Sequence, residues 1–532
     1  MKTKYSFLLY LKTIRHLRLS QLFYNIYYRL CRPTLKVSCN APNLAKLTNK
    51  TDFIKSPTSY IGENKFCFLN SEKNLTSPSD WNSAEIGKLW LYNLHYFDYL
   101  RQENISKEAG VNLISRWIAE NPIGKGNGWE PFTISLRIVN WIKWHLTGNL
   151  LSQDALDSLA TQVSCLEKKI ERHLLANHYL ANAKALVFAG MFFQGEKAKH
   201  WLKMGIDIYQ KELDEQILQD GGHFERSAMY HSIILEDLLD LANIGTPLKS
   251  LNLKIQKMLE WLVAMTTPDN KIPLLNDAAF AIAPSSQRLF EYAQKLGFSI
   301  SENNSQSIDL PYTGYTRLVS GNWTAICDCA NIGPDYQPGH AHADTLTFEL
   351  WYKNFKLITD SGTGEYIDTA LRKYQRSTLA HNTIRIDKKN SSEVWGAHRV
   401  ADRAKITGRK FSKNKLSATH NGYGKILHKR TWEISENGLS VDDEINGTGT
   451  HLVEVLWHVL GDKVSINKQE CRIEFFANGS TYFITYPQGW YVEIQKCQYS
   501  AEFGEVEKID MIKILKQTTL PVAINSRIGM HI

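Results

Sequence analysis

The chain has 532 residues, 43% hydrophobic and 22% charged, with 62 Lys and Arg against 54 Asp and Glu. That composition is globular and long enough for two or three domains with cores of their own, which excludes extended disorder. The formal charge of +8 helps to attract a polyanion, but no zinc-finger spacing and no long Lys/Arg stripe accompanies it, so nucleic acid is set aside as a partner.

The eight cysteines are scattered. Cys327 and Cys329 alternate like strand residues, whose same-face neighbours stand about 7 Å apart and bridge poorly. Neither a disulfide framework nor a cysteine metal site is expected. Fourteen Trp and 24 Tyr serve cores and can also offer flat apolar faces to sugar rings.

In chain order, residues 1–30 read MKTKYSFLLYLKTIRHLRLSQLFYNIYYRL. Leu9, Ile14, Leu17, Leu22, Ile26 and Leu30 recur near helical spacing and predict an amphipathic helix. Lys12 and Arg15 interrupt the apolar run and no small-residue cleavage site follows, so the segment is not read as a signal peptide. A basic, aromatic helix of this kind also suits a membrane surface. No stretch reaches the 18 or so apolar residues of a membrane span. Residues 31–80 are irregular apart from a short strand, KFCFL at 65–69, and residues 1–80 together are read as an N-terminal helix with a linking segment.

From Trp81 helical periodicity takes over, in segments such as VNLISRWIAE, TISLRIVNWIKWHLTG, YLANAKALVFAGMFF and LKIQKMLEWLVAMT. Short Gly, Asn or Pro loops divide them. No fixed repeat marks a solenoid, so residues 81–305 are expected to form an α/α toroid. After PYTGYTRLVSG at 311–321 the pattern becomes short strands joined by turns, and residues 306–532 are expected to form an antiparallel β-sandwich. The chain is thus a multidomain α+β protein, with a cleft expected where the two domains meet.

Several motifs carry titratable groups. PGHAHADTLTFEL at 338–350 places His340, His342 and Asp344 two apart, on one face if the segment is extended. ITDSGTGEY sets Asp360 before a glycine turn, and STLAHNTIRID opens a strand with His381. His342, Asp360 and His381 would make a zinc ligand set, although three satisfied polar residues at turns fit the spacing as well. LQDGGHFERSAMYHSIILEDLL places Glu225 and Arg226 ahead of a helix bearing Tyr230. An Arg nearby could lower the phenol pKa, and a structural half-buried tyrosine is the plain alternative. HLLANHYLANAKALVFAG holds Asn177 and His178 at a helix boundary, where an Asn cap would also serve. Two aromatic clusters, LWLYNLHYFDYL and NGWEPFTISLRIVNWIKW with Trp129, complete the set.

Taken together, NLHYFDYL, GNGWEPFTISLRIVNW, NHYLANAKALVFAG, DGGHFERSAMYHSIILEDLLDL, GHAHADTLTFEL and HNTIRID resemble the heparinase II/III-like polysaccharide lyases. The resemblance covers about residues 80–400 and continues more loosely beyond. It implies an N-terminal incomplete α/α toroid followed by a C-terminal antiparallel β-sandwich with an active site between them, and β-elimination on an acidic, uronic-acid-containing polysaccharide of bacterial or glycosaminoglycan type. It implies Asn177, Tyr230 and His340 as catalytic residues, with His178, Glu225, Arg226 and Trp129 contacting substrate. It further implies Zn2+ on His342, Asp360 and His381, in a structural or site-supporting role, in a monomer or homodimer. Residues 1–80 are unlike secreted lyases and resemble forms associated with bacterial surface-polysaccharide synthesis. The family implies the periplasm or cell envelope, and the lack of a visible signal peptide keeps the cytoplasm as an alternative. Two other functions stay open: a non-catalytic glycan-binding or assembly protein, and a glycoside hydrolase. The hydrolase needs two carboxylates across one bond, for which Glu130, Asp220 and Glu225 are available.

Overall fold

The computed structural model describes residues 5–31, 38–301 and 305–531. Among them the helices are α1 (Phe7–Ile14), α2 (Leu19–Leu30), α3 (Lys88–Tyr96), α4 (Lys107–Glu120), α5 (Pro131–Leu146), α6 (Gln153–Leu166), α7 (Ala176–Phe192), α8 (Glu196–Gln216), α9 (Ala228–Asn243), α10 (Leu251–Met265), α11 (Ser286–Lys295) and α12 (Ala370–Gln375). The single N-terminal helix expected from the sequence is two helices, broken where Arg18 adopts an extended backbone and Gln21 reaches back to its N–H at 3.0 Å. The strand expected at 65–69 is Lys65–Phe68, the middle member of a small three-stranded sheet.

Helices α3 to α11 make the helical part, with a core that is continuous from Trp81 to Tyr292. Local sequence starts several of them. Ser106, Ser152, Ser227 and Ser285 each accept an N-terminal backbone N–H, and Pro131 occupies the first turn of α5. Helix α7 is apolar on nearly every side and is buried along most of its length, as befits a central helix. Helix α8 lies close against it because a Cβ on Gly190 would sit 2.5 Å from the backbone nitrogen of Leu202. Asn177, at the start of α7, is thereby fixed from inside the helical part.

Among the described residues the strand region forms two large antiparallel sheets, besides a two-stranded one of Val394–Trp395 and Arg399–Val400. One has eight strands, in the order Ile406–Ser412, Lys415–Tyr423, Ile426–Ser435, Gly438–Asn446, Val522–Met530, Ser480–Thr485, Arg472–Ala477 and Asp462–Asn467. The other runs Tyr491–Tyr499, Glu507–Thr519, Thr450–Val459, Phe355–Ile358, Phe348–Tyr352, Trp323–Asp328, Tyr315–Ser320 and Ile308–Leu310, and Ile384–Ile386 pairs beside Thr450–Val459. Their facing side chains, among them Trp323, Phe348, Trp432, Trp457 and Phe475, share one buried core. The sheet containing Phe348–Tyr352 faces the helical part: Trp351 and Ile326 join the helical core. The loops at its edge carry residues 329–346 and 359–383 to the junction.

A buried charge cluster ties α5, α7 and α9. Asp240 accepts from Lys143 and Lys184, each at 2.5 Å, and Asp237 accepts from Lys184 at 2.6 Å. Burial alone would raise the Asp240 pKa, but the two ammonium groups override it and hold it below the usual carboxylate range. Replacing Asp240 by Ala leaves the buried Lys143 ammonium with Glu236 at 4.0 Å as its nearest carboxylate and facing Lys184, which keeps Asp237. Asp240→Ala is therefore expected to lower unfolding free energy by about 3–5 kcal/mol, read from denaturant midpoints. A change under about 1 kcal/mol would mean that water already reaches the cluster.

Candidate active site

The segment 338–345 is not extended, and the following strand begins only at Phe348. His340 and His342 are brought together by a loop and by a partner that the motif does not contain. That partner is Asp277, in the segment after α10. Its Oδ2 accepts from His340 Nδ1 at 2.9 Å and from the Arg372 Nη2 at 2.8 Å. Its Oδ1 accepts from His342 Nε2 at 2.8 Å, from Thr363 Oγ1 at 3.3 Å, and from Arg372 Nη1. The carboxylate is fully buried. Burial would raise its pKa, yet Arg372 and the two histidines hold it well below the usual range.

With Nδ1 committed to Asp277, His340 turns Nε2 toward the cleft, where its side chain is 14% exposed. Nε2 lies 3.5 Å from Asn177 Nδ2 and 3.7 Å from Glu225 Oε2. The Tyr230 ring stacks on the imidazole, centroids 3.8 Å apart, and its hydroxyl meets that of Tyr366 at 3.2 Å. Asn177 and Tyr230 therefore both meet the His340 side chain.

Asn177 is held by Glu225. Its backbone N–H donates to Oε1 at 3.2 Å, and Nδ2 donates to both carboxylate oxygens at 3.0 Å. Helix α7 enters this position through Leu175 and Ala176, both at positive φ (64° and 52°). Such a conformation costs a non-glycine residue energy and is common at functional sites. His178, beside it, stacks on Phe132 at 4.3 Å and meets Glu171 at 3.2 Å through Nδ1. Burial would lower the His178 pKa, but the Glu171 carboxylate outweighs it and the net shift is upward.

Two expected substrate contacts lie elsewhere. Trp129 is buried against Trp117 and its indole N–H donates to the Asn121 carbonyl at 3.2 Å. It fills the helical core, and Phe132, three residues on, is the ring that packs on His178. Arg226 turns its guanidinium to the Asn331 carbonyl, away from the phenol whose pKa it was expected to lower. The Tyr230 pKa is instead raised far above that of a free phenol, by burial, which exceeds the lowering by Tyr366 and Arg372. Glu225 is beneath Asn177 and acts on it rather than reaching out past it.

A second cluster lies behind Asp277. His342, Asp344 and His381 are buried and can each present one ligand atom, all within 4.8 Å of one another. His342 Nδ1, Asp344 Oδ2 and His381 Nε2 have no hydrogen-bond partner among the described residues. Each histidine commits its other ring nitrogen to a carboxylate: His342 Nε2 to Asp277, and His381 Nδ1 to Asp360 at 2.7 Å. That is how metal-binding imidazoles are oriented, so the three residues could hold a metal ion. Asp360, expected as a ligand, stands beside His381 as its hydrogen-bond partner, and Asp344 takes the place facing both rings. Burial and the neighbouring Asp328 push the Asp344 carboxyl well above its usual range, so a bound cation would relieve a crowded acid cluster.

Sequence reading missed Asp277, Arg372 and Tyr366. Asp277 lies in PLLNDAAF, which shows no periodicity or metal-type spacing. Asp344 was visible in the motif itself, two residues beyond His342.

The fold and this cleft define a class: a helical ring followed by stacked antiparallel sheets, with polar catalytic-type groups at the junction. The Heparinase II/III N-terminus family matches residues 92–299, and the family described as Heparinase II/III-like, C-terminal matches residues 302–519. The chain belongs to the heparinase II/III-like family. It is similar to a heparin-sulfate lyase of Pedobacter heparinus, 24% identical over 398 residues, 66% of this chain and 58% of that protein. A heparin-sulfate lyase of Bacteroides stercoris is 28% identical over 246 residues, 41% of this chain and 36% of that protein. The chain thus spans less than two thirds of the length of these curated relatives. A crystal structure titled Heparinase III shares the fold with a TM-score of 0.68 at 17% identity, over 96% of this chain and 89% of that one.

The site makes a stability prediction. The depressed Asp277 pKa contributes stability that is present in full above the unfolded-state value near ~3.9 and is lost as pH falls below it. Asp277→Asn is expected to be less stable by about 3–5 kcal/mol at neutral pH. The gap between the two proteins should narrow below about pH 4, in urea titrations followed by tryptophan fluorescence. A gap independent of pH would show that the charge of Asp277 is not what the junction uses.

Proposed function

We propose that the protein is a polysaccharide lyase that cleaves an acidic, uronic-acid-containing glycan by β-elimination. The observation that carries this reading is the meeting of the Asn177 amide and the Tyr230 ring on the His340 imidazole. Removing the C5 proton of a uronate builds negative charge on its carboxyl group. Asn177 stands where that charge would be met: its Nδ2, now donating to Glu225, lies 3.5 Å from His340 Nε2, and a substrate carboxyl group would take one of its two N–H groups from Glu225. His178, with its raised pKa, adds positive character beside it. Asp277 accepts from His340 Nδ1 and so leaves the lone pair on Nε2, the arrangement of a general base. Burial keeps Tyr230 protonated, which suits it to protonate the glycosidic oxygen as the bond to C4 breaks. This division favours His340 as base and Tyr230 as acid over Tyr230 in both roles.

We take the metal ion to be zinc, because two imidazole nitrogens and one carboxylate are a zinc donor set. His342, Asp344 and His381 would hold it, with Asp360 orienting His381. When bound, zinc would supply fixed positive charge and hold the loops that carry His340. A hydrolase would need two carboxylates across a gap. Glu130 is instead bonded to Tyr92 and Lys88, and Asp220 to the Tyr312 and Thr313 backbone.

A panel of uronate-containing glycans tests the reading: cleavage should produce near-ultraviolet absorbance from the unsaturated uronate. Reducing ends without absorbance would indicate hydrolysis, and no cleavage would favour a binding protein. On a cleaved substrate, Tyr230→Phe should reduce turnover at least about 10²-fold with folding nearly intact. Normal turnover in that variant would remove Tyr230 from the chemistry. Elemental analysis should find about one zinc per chain, lost in His342→Ala and in Asp344→Ala. Full occupancy in Asp344→Ala with loss in Asp360→Ala would return Asp360 to the ligand set.

A further inference from the structure

Helices α1 and α2 are amphipathic with the apolar side outward. Their polar residues grip the protein. Lys12 reaches Glu393 at 3.0 Å and Asp402 at 2.6 Å, and the Thr13 hydroxyl accepts from the Trp395 indole at 3.1 Å. Gln21 donates to the Tyr336 carbonyl at 3.2 Å, and the Tyr28 hydroxyl donates to the Ile170 carbonyl at 2.6 Å. The large apolar residues face away from it. Phe7, Leu8 and Leu11 do so on α1, and Leu19, Phe23, Ile26 and Leu30 form one stripe along α2 at helical spacing. Leu19 is 84% exposed and Phe23 61%. Of the 22 large apolar side chains exposed among the described residues, ten lie on these two short helices. A helix of a soluble core turns such a stripe inward, and a contiguous exposed one marks an interaction surface.

Charge identifies the occupant. Residues 1–51 contain ten Lys and Arg and no Asp or Glu. The carboxylates that meet these helices are engaged, Glu393 and Asp402 by Lys12 and Arg15 and Glu215 by Arg18, which leaves Arg29, Arg172 and Arg399 as the cations beside the stripe. Arg29 on α2 is exposed. Arg399 stands over the Tyr10 ring at 5.7 Å and Arg172 over the Tyr24 ring at 5.5 Å. The stripe therefore has a cationic margin rich in tyrosine. A second copy of this chain would set these cations against their own kind, whereas a layer of anionic headgroups complements them. No helix among the described residues is long and apolar enough to cross a membrane, so contact would be in the plane of the surface.

We propose that α1 and α2 form a docking surface for an anionic lipid bilayer, with the leucine and phenylalanine stripe at the acyl boundary and the arginines among the headgroups. The attachment is independent of the chemistry in the cleft, but it is close to it. Arg18 stacks on Tyr336 at 3.7 Å, four residues before His340, so a docked α2 would hold the mouth of the cleft beside the bilayer.

The test is co-sedimentation of the full chain with vesicles of phosphatidylcholine alone and of phosphatidylcholine mixed with phosphatidylglycerol. Binding should require phosphatidylglycerol and weaken as salt rises. The double variant Phe23→Asp, Ile26→Asp should lose vesicle affinity at least about tenfold at unchanged thermal midpoint, since both side chains are exposed. The milder pair Leu19→Ser, Leu30→Ser should move it in the same direction. Failure to pellet with the anionic vesicles, or equal pelleting of the aspartate variant, would overturn the proposal. So would a lipid-free dimer, seen by light scattering, that the aspartate variant dissolves, because the face would then belong to a second copy.

Discussion

One buried carboxylate holds the two halves of this protein in working relation. Asp277 comes from the helical side of the junction, and His340, His342, Thr363 and Arg372 come from the strand side. A lone carboxylate in that position would be costly to bury. The Arg372 guanidinium meets it with two nitrogens and the imidazoles complete its hydrogen bonds, so the charge is retained and the geometry is rigid. Because the same group bonds both histidines, the imidazole that faces the cleft and the imidazole that faces the possible metal share one anchor. Disturbance of either is transmitted to the other through less than one side chain.

Around that anchor the ionisable groups are pushed in different directions. Burial raises Tyr230, the Glu171 carboxylate raises His178, and Arg372 with the histidines lowers Asp277. Such separation lets one cleft hold a proton donor and a proton acceptor together near neutral pH. The strained entry to α7 and the Glu225 clamp fix the Asn177 amide before any ligand arrives. The amide position is thus set by the protein and not by a ligand.

The buried charges of the helical part show the same economy at a distance from the cleft. Lys143 and Lys184 share Asp240, and Tyr292 adds a hydrogen bond to its other oxygen at 3.0 Å. That network registers α5, α7 and α9 against one another, and α7 and α9 are the helices that begin with Asn177 and Tyr230. Placement of the cleft residues thus depends on packing further along their own helices, at the middle of α7 and near the C-terminal end of α9.

The sequence by itself determined the class of fold, because hydrophobic period is a local property: a 3.6-residue rhythm through the first half and short alternating runs after residue 306 leave few architectures. It also marked Asn177, Tyr230, His340, His342 and His381, which sit in dense motifs of chemically unusual residues. Tertiary structure decided the rest. Asp277 has no motif and acquires its role only by meeting loops some 65 to 95 positions along the chain. Asp344 and Asp360 are equally good carboxylates on paper, and loop paths select which one faces both imidazoles. Trp129 and Arg226 carry groups suited to a glycan, but core packing takes the indole and a backbone carbonyl takes the guanidinium. Spacing along the chain states which side chains are present; which way each one points is set by what packs against it from elsewhere.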